Sequence, residues 1–193
     1  MLNKLFEELR DLNLKDEKQL FFLLRTQNHI NLVREAALKI VAVYPELEEL
    51  IVNVVDHDKS KFEEPEKIPY IELTWNRRHG GELSDEMQDQ ITKATLHHIK
   101  TNPHHPEYHL KDETKVELKS TNRDESIECV DAFGMDELSL AEMVSDWQAV
   151  SVELGTNTAR QWFNDVKDVR WAFTDKQEEF IDKLLKVFEV DNV

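Results

Sequence analysis

Two apolar stripes at helical spacing run one after the other into the dipeptide His57-Asp58. No other feature constrains the fold as much. Ile30, Val33, Ala37, Ile40 and Val41 mark a helix that begins near Asn28. It stops at Tyr44-Pro45, because a residue before proline leaves the helical region. Leu47, Leu50, Ile51, Val54 and Val55 mark a second helix, expected from Pro45 to about Asp56 and closed by His57-Asp58. An adjacent His-Asp pair offers one imidazole nitrogen and one carboxylate oxygen to the same small volume. That donor set suits Zn, Fe, Mn and Ni. All eight histidines fall between His29 and His109, as a metal site built from several helices would leave them.

The rest of the chain reads as helix as well. Leu2, Leu5, Phe6 and Leu9 mark a short amphipathic helix. Asp16 is expected to cap another, with Leu20, Phe21 and Leu24 inward. Residues 63–69 are acidic and proline-containing and read as a loop, and Ser60 is a candidate cap. Tyr70, Leu73 and Arg77 share one face of a helix that Gly80-Gly81 ends. Ser84 starts the next, with Asp85 and Glu86 in its first turn, and Asn102-Pro103 stops it. Residues 112–131 alternate weakly and suggest a short β-hairpin or an irregular flap. Helix returns at Leu138 and recurs near 158–168 and 174–189. Only 4 glycines and 5 prolines interrupt the chain, which favours an all-α fold. A single domain over 1–193 is expected, with a core at about 25–165. Helices at 1–24 and 158–190 would pack on that core.

The net charge of −16 argues against polymeric nucleic acid and anionic membranes, whose phosphates it would repel. Arg77-Arg78-His79 is the one seed of a basic patch. A single cysteine, Cys129, excludes an internal disulfide and fits a reducing, cytoplasmic compartment. No apolar run approaches the ~18 residues of a membrane span. The oligomeric state is not legible.

Three constellations carry candidate chemistry. The first is His29 with His57-Asp58. The second is His97, His98, His104 and His105, in TLHHIKTNPHH. Neighbours on a helix point about 100° apart, so one member of each pair is expected to face a given centre. With the first constellation these ligands exceed what one tetrahedral ion needs, and a dinuclear site bridged by Asp58 would use them. The third is Glu142 and Asp146, four apart on one helix face beside Met143 and Trp147. Trp75, Trp162 and Trp171 are either core or interface anchors.

The His29 helix, the apolar helix ending in His57-Asp58, and Lys61 three residues on resemble the HD superfamily of metal-dependent phosphohydrolases. That resemblance implies an all-α HD-domain-like bundle of about five core helices with the site inside it. A final Asp closes the metal set, for which Asp146 is the candidate and Asp131 a weaker one. HDKSKF, HHIKTNPHHPEY and EMVSDW together also resemble an uncharacterised family of bacterial and bacteriophage proteins, over about residues 25–165. Pro106 and His109 stand where that family usually has aromatic residues.

The resemblance implies a phosphohydrolase acting on a nucleotide or another small phosphate ester. His29, His57, Asp58 and Asp146 would hold a first divalent ion (Mn, Fe, Zn or Ni). One of His97/His98 and one of His104/His105 would hold a second. Lys61 would stabilise charge on phosphate or fix the Asp58 carboxylate. Glu142 would act as a general base or as an acceptor for a ligand histidine. Two other readings stand beside it. One is a di-iron oxygenase of HD type, with ligands in the order His, His-Asp, His, His, Asp. The other is a non-catalytic binding or interaction protein of the kind a phage encodes.

Overall fold

The computed structural model describes residues 17–110 and 129–189. Among them are seven α-helices and one pair of two-residue strands. Helix α1 (Glu17–Val43) is the spine. Phe22, Thr26, His29, Ile30, Val33, Ala36, Ala37 and Ile40 are buried along it, at the three- and four-residue steps of one helix face. This face packs chiefly against α5 (Glu137–Leu154), which in turn packs against α7 (Asp175–Glu189). Helix α3 (Lys67–His79) lies on α1, and α4 (Asp85–Thr101) lies on α3.

One apolar cluster runs from Val33 through Leu140, Val144 and Trp147 to Leu184 and Phe188. Burying each large aliphatic side chain there contributes about 1.5–3 kcal/mol. Local signals set the helix ends. Ser84 accepts from Met87 N, Asp136 from Ser139 N, and Thr158 with Gln161 forms a capping box before α6 (Ala159–Val166). Gly155, in the left-handed region at φ 63°, closes α5.

Four expectations are corrected. The helices read separately before and after Asn28 are one helix, since no glycine or proline interrupts residues 17–43. The helix expected over 45–56 is two short pieces, the 3-10 turn Pro45–Leu47 and α2 (Leu50–Asn53). Arg34 of α1 donates to Val55 O (2.9 Å) and so takes up a carbonyl that a continuing helix would use. Ser60 caps nothing. It lies inside the 3-10 turn Lys59–Phe62, and helix resumes at Lys67, within the expected loop.

Most of the expected flap (111–128) lies outside the described residues. Its end, β1 (Val130–Asp131), pairs in parallel with β2 (Trp171–Ala172). The expected helix at 1–12 and the Asp16 cap also lie outside the described residues. Among the described residues no helix is long and apolar enough to cross a membrane.

Candidate metal centre

Helix α1 brings His29 to the middle of the bundle. Facing it are the turn after α2, the end of α4 and the middle of α5. Asp58 stands at the focus with a left-handed backbone (φ 59°), a conformation that aspartate tolerates better than most residues. His57, Asp58 and His104 are at most 2% exposed.

The two carboxylate oxygens of Asp58 face different histidines. Oδ2 lies 3.7 Å from His29 Nε2 and 3.8 Å from His57 Nε2. Oδ1 lies 3.2 Å from His98 Nε2 and 3.9 Å from His104 Nε2. Asp146 Oδ1 is 3.0 Å from His29 Nε2. Donors bonded at about 2.1 Å to one ion sit about 3.0–3.4 Å from one another, so these spacings approach those of metal ligands.

Three overlapping groups have donor atoms within 4.8 Å of one another. They are His29, His57 and Asp58; His57, His104 and Asp146; and His98, His104 and His105. The buried atoms His57 Nε2, Asp58 Oδ1 and His104 Nε2 find no hydrogen-bond partner among the described residues. Buried polar atoms without partners are costly, and a cation would satisfy all three. The clusters could therefore hold a metal ion.

The opposite ring nitrogens are buttressed by carboxylates. His57 Nδ1 is 2.8 Å from Glu142 Oε1, and His98 Nδ1 is 2.9 Å from Glu66 Oε2. His29 Nδ1 is 3.4 Å from Glu153 Oε2. A carboxylate on the outer nitrogen fixes the tautomer and aims Nε2 inward, as around metal-bound imidazole. Ser60 donates to Glu66 (3.1 Å), and Asn102 donates to the His98 carbonyl (2.8 Å). Lys61 pairs with Asp58 Oδ2, closing the set.

These contacts move the titrations. Burial opposes a charge on His29, yet its contacts with Asp146 and Glu153 outweigh that and raise its pKa to about 9. Burial would raise Glu142, but His104 and His57 bring it down to about 2. Asp146 is lowered by His29 against its burial, and Asp58 by Lys61 and His57 against its own. Burial lowers His57.

His98 faces Asp58, while His97 is partly exposed and bonds Glu66 (2.7 Å). His104 and His105 both turn inward, because they follow Pro103 in a turn and not on a helix. Asp131 is exposed, accepts from Phe133 N and belongs to none of the three donor groups. His79 stacks on Trp75 (3.7 Å), and His109 Nε2 donates to Pro103 O (2.8 Å). Pro106 is buried at the start of the 3-10 turn Pro106–His109. Trp171 is core, and Trp75 and Trp162 are partly buried.

Sequence reasoning missed Glu66 and Glu153. Glu153 had a signal, since it falls seven residues after Asp146 on the face that carries Glu142. Glu66 had none. A cleft of about 1100 Å³ opens onto the centre, lined by His29, Asp58, Lys61, His98 and Asp146 among others.

Fold and site together define a helical bundle around a buried imidazole–carboxylate centre. Residues 18–187 match the family of unknown function DUF5662, and the chain belongs to that family. No curated protein and no solved structure matches it.

Proposed function

We propose that this protein is a metal-dependent phosphohydrolase of the HD type, acting on a nucleotide or another small phosphate ester. One observation carries the reading. Imidazole nitrogens braced from behind converge on both oxygens of a single buried carboxylate, Asp58. His29, His57, Asp58 and Asp146 would hold one divalent ion. His98 with His104 or His105, facing the other oxygen of Asp58, would hold a second. Such ions (Mn, Fe, Zn or Ni) supply a water acidified towards neutral pH and polarise a phosphoryl oxygen.

The chain's own residues do the rest. Lys61 holds the Asp58 carboxylate and faces the cleft, where its ammonium can also donate to a phosphoryl oxygen. Glu142 keeps the proton on His57 Nδ1, so that Nε2 presents its lone pair inward. This outer position suits a positioning role better than that of a general base. Attack of water on phosphorus breaks the phosphorus–oxygen ester bond and yields an alcohol and inorganic phosphate. The charge of −16 favours a small substrate over polymeric nucleic acid.

The test is elemental mass spectrometry on protein purified without chelator or nickel resin, beside a His57→Ala variant and followed by a phosphate-ester screen. One or two equivalents of metal, lost in the variant, with phosphate released from a small ester, is the expected result. Two irons with consumption of oxygen would replace this reading by the oxygenase. No metal, even after metal is added back, would leave a non-catalytic binding protein.

A further inference from the structure

The outer part of the cleft carries a feature that hydrolysis at the centre does not use. Arg25 of α1 and Arg77 of α3 both line it. Arg77 has no acidic partner among the described residues, in a chain with 40 aspartates and glutamates. Glu72, on the same helix, is taken by Lys18 (2.7 Å). Arg25 uses its Nε on Glu153 (2.9 Å). Partial burial of its guanidinium disfavours the charge of Arg77, and Arg25, lining the same cleft, adds to that. Thr26 and Thr74, neighbours of these arginines on their helices, line the same cleft.

Position follows from helix geometry. Arg25 is one turn from His29, on the same face of α1. Helix α3 starts beside the centre, where Glu66 bonds His98. Arg77 lies eleven residues further along, on the order of 16 Å of helix axis. The cleft therefore runs from a metal-ligand cluster to an arginine pair, and its volume of about 1100 Å³ exceeds what a lone phosphate needs.

We infer that Arg77 with Arg25 forms a phosphate subsite at the outer end of the cleft, for the far anionic group of an elongated small molecule whose other end reaches the centre. A planar guanidinium fork with hydroxyl side chains nearby offers donors from several directions, which matches a tetrahedral anion. The substrate class becomes a small ester with a second phosphate remote from the bond that breaks. Which end reacts rests on the hydrolase reading above. The subsite itself does not.

The probe is inorganic phosphate, titrated calorimetrically into chelator-treated protein. The wild type, Arg77→Ala, Arg77→Lys and Lys61→Ala are compared. Expected is binding to the wild type that weakens on the order of tenfold in Arg77→Ala, recovers in part in Arg77→Lys and persists in Lys61→Ala. Arg77 keeps much of its side chain in solvent and makes no ion pair among the described residues, so its replacement leaves the fold intact. No binding to the wild type, or binding that survives Arg77→Ala, overturns the subsite. Binding lost only in Lys61→Ala also overturns it, by placing phosphate at the centre. Phosphate binding by a protein that takes up no metal would keep the subsite and remove the hydrolase. Metal uptake without phosphate binding would do the reverse.

Discussion

The apolar core and the polar centre are built on the same two helices, α1 and α5, and obey opposite rules. On α1 the core takes Val33, Ala37 and Ile40, and the centre takes His29. On α5 the core takes Leu140, Val144 and Trp147, while Glu142, Asp146 and Glu153 face the histidines. In the core any side chain of similar volume serves nearly as well. In the centre each atom has a particular partner, and removing one strands another. Helical periodicity allots the faces, while the chemistry of each face decides how replaceable its residues are.

The sharpest break is Asp58→Asn, which keeps a residue tolerant of the left-handed backbone and removes the charge that Lys61 faces. Breaking a buried pair costs about 3–5 kcal/mol. Urea unfolding of metal-free protein should show that loss, and elemental analysis should find no metal. Ile40→Ala or Leu184→Ala should cost about 2–5 kcal/mol through cavity formation. Metal content per folded molecule should stay unchanged, because neither residue touches the centre.

Changing pH separates the regions without mutation. The folded pKa of His29 is about 9 against an ordinary 6.5. Its contribution to stability is therefore full below 6.5 and lost as pH rises through 9, at about 3 kcal/mol in all. Metal-free protein should melt at progressively lower temperature from pH 6.5 to 9.5. Metal-loaded protein should not, since the ion competes with that proton and binds better as it leaves. Parallel melting curves across this window would contradict the assignment of His29.

Glu66→Gln removes the carboxylate behind His98 and should weaken metal binding about 10- to 100-fold with little change in helix content. A competition titration with a chelating dye would read it. The smallest effect is expected at Ser84→Ala, an exposed residue outside both the apolar cluster and the donor groups. It should cost about 1 kcal/mol from the lost cap on α4, with metal affinity unchanged.

Much of this was legible beforehand, for reasons that differ by residue. Ile30 to Ile40 announced a helix because burial repeats every 3.6 residues. His57-Asp58 stood out because two donor types are adjacent. Asp146 was put forward as the final Asp that the HD resemblance calls for, on a helix face it shares with Glu142. The break after Asn53 was not legible, since it depends on Arg34 reaching the Val55 carbonyl from another element. Nor was the pairing of Glu66 with His98, 32 positions apart, because such a contact leaves no periodicity. The inward turn of both His104 and His105 was hidden by treating a turn as helix. The uncharacterised-family resemblance agrees with the family match, and the hydrolase reading goes further than that match does.

Glu153 sits within 2.9 Å of Arg25 and 3.4 Å of His29, so one carboxylate serves two cations. Whatever draws Arg25 away leaves that carboxylate more fully to His29. Equilibrium then demands reciprocity. If an anion in the outer cleft changes the centre's affinity for metal by some factor, metal must change the affinity for that anion by the same factor. Two binding events on opposite sides of one glutamate would then be one thermodynamic system, and a titration of either ligand would have to be read with the concentration of the other stated.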